Sequence, residues 1–334
     1  MIDTACPDAV MIITSWDVHV EQSLYAMEKG VAVACEVCSG YSIEQAWDLV
    51  RCYERTKTPI MFLENCCYGK LELLALNMKR AGVLGEIVHC EGGYCHYLSH
   101  EITGGADGSH YRYEQYKHRN CDNYPTHEIG PIAKLLDINC GNRFVSLYSM
   151  ASKSVGLKEY VKENQLHHLD GVEFKQGDVI TTLIKCANGE TVKIALDTTI
   201  PRYYSRGFTV EGTKGMLCED TDAVYLKEDV AITHLRKEYL GSVEKYYEKY
   251  GHKLWKNDVK KDGHGGIDYM VLGAFFDALK SGKPMPIDVY DMATWISVST
   301  LSEQSIATGQ AVAFPDFTNG KWIKAKNNFL VDED

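Results

Sequence analysis

Residues 123–131 read NYPTHEIGP, a turn that carries Tyr124, His127 and Glu128 straight into a helix. A histidine in such a place is a candidate for proton transfer, because an unperturbed imidazole titrates near about 6.5. Taken alone it could equally be a helix-capping or core histidine. Tyr94 and His96 in GGYCHYL are two residues apart on a strand-like run, so they share one face and could reach one pocket. The other reading is an ordinary aromatic and polar pair on a sheet face. A tyrosine serving as a base needs its pKa, about 10 in water, lowered by positive charge nearby. Arg112 in HYRYEQ could supply that charge, and Tyr124 and His264 of GHGG are weaker candidates for ligand contact. Cys35 and Cys38 form a C-x-x-C, CEVC, with the functional reading of a redox pair or half a zinc site. No second C-x-x-C supplies the remaining ligands, and Glu36 between the two disfavours a lowered thiolate pKa, so buried or loop thiols and no metal are expected.

The elements that must position these residues fall into two groups. DAVMIIT, VAVACEV and PIMFLEN read as buried strands, and HVEQSLYAMEKG and SIEQAWDLVRCYERTK between them read as helices, the second with Ser42 as its N-cap. Strand and helix in alternation with short connections predict parallel β-α-β units with right-handed crossovers. Ligands in such sheets gather at the carboxyl ends of the strands, here TSWDVH, EVCSG and ENCCYG. Further on, EIVHCEGGYCHYL, RFVSLYSMAS, GFTVEGTKGMLCED and AVYLKE are strand-like, and DVITTLIKCANGETVKIALDTT is two alternating runs joined at Asn188-Gly189, a strong hairpin signal. The helices GGIDYMVLGAFFDALKSG and YDMATWISVSTLSEQSIATG end at glycine. KEYLGSVEKYYEKYGHKLWKND, charged and rich in tyrosine, reads as a solvated helix or loop. The fold class is therefore α/β plus α+β: a partial parallel sheet, then a domain with a large, open, mostly antiparallel sheet. The expected division is 1–66 for the first part and 67–334 for the second.

Composition limits the function classes. The 334 residues are 45% hydrophobic, and no apolar run approaches the roughly 18 needed to span a membrane. The start, MIDTACPDAVMIIT, lacks the features of a secretory signal, so a cytoplasmic location is expected. Twelve cysteines inside element-like runs of so long a chain imply a reducing compartment rather than a disulfide framework. With 46 acidic against 35 basic residues, a net charge of −11 disfavours a nucleic-acid partner and suits a neutral or cationic small substrate.

These motifs, in this order, also carry a resemblance. ITSWDVHVEQSLYAMEKGVAVACEV resembles the second half of the dinucleotide-binding domain of Gfo/Idh/MocA oxidoreductases. LENCCYGKLELLALNMKRAGVLGEIVHCEGGYCHYL, YPTHEIGP, GHGGIDYMV and DVYDMATWISVSTLSEQSIATGQAVAFPDFTNGKW resemble glycoside hydrolase family 109, NAD-dependent enzymes that include α-N-acetylgalactosaminidases. Nearly the whole chain is covered. The family's opening strand, G-x-G-x-x-G turn and helix have no counterpart, so roughly the first 70 to 90 residues of the expected dinucleotide fold are absent. That leaves a truncated or split gene product, a missing half supplied by a separate chain, or a chain that has abandoned the cofactor.

The resemblance implies a redox glycosidase. Bound NAD oxidises the sugar hydroxyl at carbon 3, a base removes the acidified proton at carbon 2, the aglycone leaves, water adds, and the hydride returns. His127 is then the group that takes the proton of the carbon 3 hydroxyl, with Tyr94 the carbon 2 base and His96 its neighbour. Arg112, Tyr124 and His264 are implied substrate contacts, and Ser15, Trp16, His19, Glu36, Glu64 and Asn65, at the strand ends, implied cofactor contacts. Two departures stand out: Glu128 occupies a family glycine, and EVCSG has Val37 and Cys38 where simple sugar dehydrogenases have lysine and proline. The lost lysine disfavours a plain dehydrogenase. An oxidoreductase releasing a keto sugar, and a non-catalytic sugar- or partner-binding remnant, remain as alternatives. A homo-oligomer formed through the open sheet is also implied.

Overall fold

Two sheets share one continuous hydrophobic core in the computed structural model, which describes residues 1–37, 40–108, 110–229, 242–256, 259 and 262–330. The first sheet has the parallel order β1 (Ala9–Ile12), β2 (Ala32–Cys35), β3 (Ile60–Phe62). β2 lies between the other two with every residue buried, as the uninterrupted apolar run AVAC requires. The intervening helices are His19–Glu28 and Ile43–Thr56, and the Ser42 hydroxyl accepts the Gln45 N–H at 3.1 Å as the expected N-cap.

The second sheet has eight strands: β4 (Ile87–Cys95), β5 (Phe144–Ala151), β6 (Val179–Cys186), β7 (Thr191–Asp197), β8 (Thr209–Gly212), β9 (Gly215–Cys218), β10 (Ala223–Leu226) and β11 (Val312–Ala313). Their spatial order is β10-β9-β8-β4-β7-β6-β5-β11. All neighbours are antiparallel except β4 and β7, which run parallel at its centre. β6 and β7 pair across the Asn188-Gly189 turn, where Gly189 takes a φ of +110°. This is the small parallel sheet followed by a large, mostly antiparallel sheet that the sequence implies.

One face of this sheet is covered and the other is open. Cys90, Leu147, Ile180, Ile184, Val192, Ile194 and Val210 are buried on the covered face, whereas Met150 and Leu183 are exposed on the other. The long helix Val289–Thr308 ties the two sheets together. It is capped by a reciprocal Asp288–Asp291 box and ended by Gly309. Its Trp295 ring lies 6.2 Å from Phe62 of β3, while Ser305 Oγ accepts the backbone N–H of Ser149 in β5 at 2.9 Å.

The tyrosine-rich tract 237–258 is less solvated than its charge suggests. Of its described part, Glu244–Tyr250 is helical with Tyr246 buried, and Trp255 donates its indole N–H to the Tyr68 carbonyl at 2.9 Å. Aromatic bodies pull the segment onto the core while its charged tips stay in water. Cys38, and with it the C-x-x-C reading, lies outside the described residues, as do 237–241, 257 and 258. Among the described residues no helix is long and apolar enough to cross a membrane.

Candidate active site

The Thr126–Leu135 helix aims its first turn at the carboxyl end of β3. Gly130 makes that approach possible, because a Cβ there would stand 2.8 Å from Cγ of Glu64 and 3.1 Å from Sγ of Cys67. His127 Nδ1 consequently lies 2.8 Å from Glu64 Oε1. Glu64 is fully buried, and the same oxygen also accepts the Cys66 backbone N–H at 3.1 Å. Burial alone would push the His127 pKa down, but the Cys66 sulfur and the Glu64 carboxylate outweigh it and hold the imidazole well above the ordinary histidine range. For Glu64 burial works upward, and His127 more than reverses it, keeping the carboxyl ionised. With Nδ1 engaged, Nε2 is the nitrogen that faces a ligand, 3.4 Å from the Tyr124 hydroxyl.

Around this pair stands a wall of rings. Tyr94 ends β4 with its ring centroid 4.4 Å from Tyr124 and 5.6 Å from His127. His96 stacks beside Tyr94 at 6.0 Å, as the two-residue spacing predicts, and meets Tyr204 at 5.2 Å on its other side. Trp16, buried just beyond β1, is 5.3 Å from Tyr124 and 4.4 Å from Tyr111. The Arg112 guanidinium sits inside this cage, 4.7 Å from the Tyr124 ring, 5.0 Å from Trp16 and 5.8 Å from Tyr94. Its Nε donates to Glu101 at 2.8 Å, while its buried Nη1 has no hydrogen-bond partner among the described residues.

The remaining candidates spread out from that centre. Ser15 precedes the Trp16 turn, and Glu36 follows β2 with a carboxyl pKa raised by burial. Asn65 donates to Asp268 at 2.6 Å, which leaves its own buried Oδ1 without a partner among the described residues. His264 is exposed and bonds the other Asp268 oxygen at 2.8 Å, which places it beside the Asn65–Asp268 contact rather than among the rings. The His19 ring is 1% exposed and Nε2 lies 2.8 Å from the Thr14 carbonyl, so it braces the turn after β1.

Four participants were missed in the sequence. Cys66 lies between His127 and Arg206, whose Nη1 is 3.1 Å from its sulfur, and Arg206 is ion-paired with buried Glu72. Glu101 holds Arg112, and Tyr204 closes the His96 side. Cys66 sits inside the quoted ENCCYG and Tyr204 and Arg206 inside PRYYSRGF, a basic and aromatic cluster at a strand connection that could have drawn notice.

Glu128, the residue after His127 on the helix, packs against Gly92 of β4. A Cβ on Gly92 would come within 2.8 Å of the Glu128 Cβ, so the larger residue on the helix is matched by glycine on the strand. Both Glu128 oxygens and both Asp122 oxygens are buried without hydrogen-bond partners among the described residues. Burial raises the Asp122 pKa from 3.8 to about 7, and burial with the Asp122 charge raises that of Glu128 well above its usual range. Between these limits the folded state holds a proton that the unfolded chain has released, so stability falls as pH rises from about 4 to about 7. Asp122→Asn is therefore expected to raise Tm relative to the native chain by an amount near zero at acid pH and increasing to neutrality, measured by thermal denaturation across pH.

Comparison with known proteins follows this geometry. Residues 68–324 match the glycosyl hydrolase 109 C-terminal domain. The chain belongs to glycosyl hydrolase family 109. It is 41% identical over 352 aligned positions to a glycosyl hydrolase family 109 protein of Parabacteroides distasonis, covering 97% of this chain and 74% of that one. It is 40% identical to an alpha-N-acetylgalactosaminidase of Tannerella forsythia, with the same coverage of 97% and 74%. Among solved structures, levoglucosan dehydrogenase in complex with NADH and levoglucosan superposes with a TM-score of 0.68 at 20% identity, over 94% of this chain and 82% of that one. Myo-inositol 2-dehydrogenase from Lactobacillus plantarum does so with a TM-score of 0.63 at 16% identity, over 94% and 83%. The family 109 chain thus combines glycosidase relatives with an oxidoreductase fold.

Proposed function

We propose that this chain is a nicotinamide-dependent glycosidase acting on α-N-acetylgalactosaminide-like sugars. The observation that carries the reading is the pair of buried Glu64 and half-buried His127, held at the carboxyl end of β3 beside two tyrosines and a caged arginine. The residues present fit the nicotinamide half of NAD. Asn65 Oδ1 and Glu64 Oε2, acceptor oxygens without a hydrogen-bond partner among the described residues, with Ser15, Trp16 and Glu36 at the neighbouring strand ends, would receive its carboxamide and ribose donors. No G-x-G-x-x-G turn for the pyrophosphate occurs in these 334 residues, so the proposal places only the nicotinamide half of the cofactor on them. When bound, the cofactor supplies a hydride acceptor at carbon 3 of the sugar and returns the hydride at the end of the cycle.

The chain's own residues do the rest. In its neutral form His127 takes the proton of the carbon 3 hydroxyl at Nε2, and the Glu64 carboxylate at Nδ1, which raises the ring's proton affinity, steadies the imidazolium that results. Tyr94 removes the carbon 2 proton, with the Arg112 cation 5.8 Å from its ring. Arg112 offers its unpartnered Nη1 to a sugar oxygen, and Trp16 and Tyr124 present apolar faces to the ring. A keto-sugar-releasing dehydrogenase is the second reading, which the fold favours. Against it, the position of the dehydrogenase lysine holds buried Val37.

Native mass spectrometry with nucleotide analysis of the released material, followed by hydrolysis of an α-N-acetylgalactosaminide, tests the proposal. Stoichiometric NAD with hydrolysis and no net reduced nucleotide is expected. Accumulating reduced nucleotide would select the dehydrogenase, and no nucleotide in the presence of excess NAD would overturn both for this chain alone.

The exposed Leu183 and Met150 on the open sheet face support assembly with a second copy of the chain. A Leu183→Glu variant is expected to shift the species to lower mass in size-exclusion chromatography with light scattering, with Tm little changed.

A further inference from the structure

We propose that Glu64, Cys66 and His127 form a binding site for a thiophilic divalent cation of the zinc class, and that an ion there withdraws His127 from proton transfer. One ligand atom from each of the three, an oxygen, a sulfur and a ring nitrogen, lies within 4.8 Å of the other two. In a filled tetrahedral site, bond lengths of about 2.0–2.3 Å place ligand atoms roughly 3.3–3.8 Å apart. The set therefore closes around an ion with side-chain movements of about 1 Å or less.

The backbone holds this arrangement. Glu64 caps the short turn Asn65–Tyr68 by accepting the Cys66 N–H, which fixes the carboxylate and the thiol two residues apart on one turn. Gly130 lets the helix bring His127 across to them. Charge also balances. A carboxylate and a thiolate neutralise a divalent ion, and the nearby Arg206 guanidinium already has Glu72 as its counterion. Binding exchanges the Arg206 contact with Sγ and the Glu64–His127 hydrogen bond for three bonds to metal. It leaves a fourth coordination position for water, the pattern of three protein ligands and one open site. The thiolate distinguishes zinc, cobalt and cadmium from magnesium or calcium, which prefer oxygen.

Titration of purified chain with Co²⁺ and Zn²⁺, without nucleotide or sugar, tests this separately from the glycosidase reading. One equivalent of Co²⁺ giving a thiolate-to-cobalt charge-transfer band, displaced by Zn²⁺, is expected. Cys66→Ser should abolish the band and weaken Zn²⁺ binding at least about tenfold, and His127→Ala should weaken binding similarly while leaving the thiolate in place. Cys140→Ser, at a cysteine remote in sequence from the site, should keep both band and affinity. Circular dichroism and Tm establish that each variant is folded. If Cys66→Ser does not fold, the His127→Ala titration decides. No band in the native chain, a band unchanged in Cys66→Ser, or unchanged affinity in His127→Ala would overturn the proposal.

Discussion

Replacing His127 with alanine lowers kcat on an α-N-acetylgalactosaminide by about 10²- to 10⁴-fold, the usual worth of a positioned general base, while KM stays within a few-fold. The expectation rests on where the two ring nitrogens point. Nδ1 is committed to a buried carboxylate at 2.8 Å, so Nε2 is oriented before any ligand arrives and the cost of ordering the ring has been met by folding. Because the imidazole meets the substrate at the atom that loses a proton, the loss belongs to the transition state and falls on kcat. Steady-state kinetics of His127→Ala and His127→Asn on the complete, nucleotide-loaded enzyme checks it. A fall confined to KM would assign His127 to binding instead.

The second large effect concerns Arg112. Substitution by methionine keeps much of the apolar stem but removes the cation from a cage of Trp16, Tyr94, Tyr111 and Tyr124, and leaves Glu101 with His110 but without its guanidinium partner. Loss of a charge-assisted hydrogen bond to a sugar oxygen, together with disturbed ring packing, is expected to lower kcat/KM on the order of 100-fold. Lysine should not rescue it, since the planar guanidinium stacks among the rings and donates to Glu101 along one edge while presenting Nη1 on another. Kinetics of Arg112→Met and Arg112→Lys, compared with their Tm values, separates a ligand contact from a scaffold role. Equal activity in the lysine variant would reduce Arg112 to a simple positive charge.

Much of this architecture is local and so was legible from the chain. The apolar runs of β1 to β3, the Ser42 cap, the Asn188-Gly189 hairpin and the glycine ends of two long helices each depend on a few consecutive residues. The two-residue spacing of Tyr94 and His96 likewise needed only a strand to become a neighbouring pair. Glu64 and His127 were legible as individuals, one at a strand end and one in a turn, but not as partners 63 residues apart.

What the sequence determined by itself was the set of elements, their order and the residue types able to do chemistry, because backbone propensity, capping and alternation act within a few residues. Tertiary structure alone decided which of those residues meet. It turned His19 into a brace, put Cys66 between His127 and Arg206, matched Glu128 to Gly92, and buried the Asp122 and Glu128 carboxyls without hydrogen-bond partners among the described residues. The physical reason is that pKa, orientation and ligand sets arise from burial and charge at distances of a few ångströms, between groups that the chain brings together only when helix 126–135 packs between the two sheets.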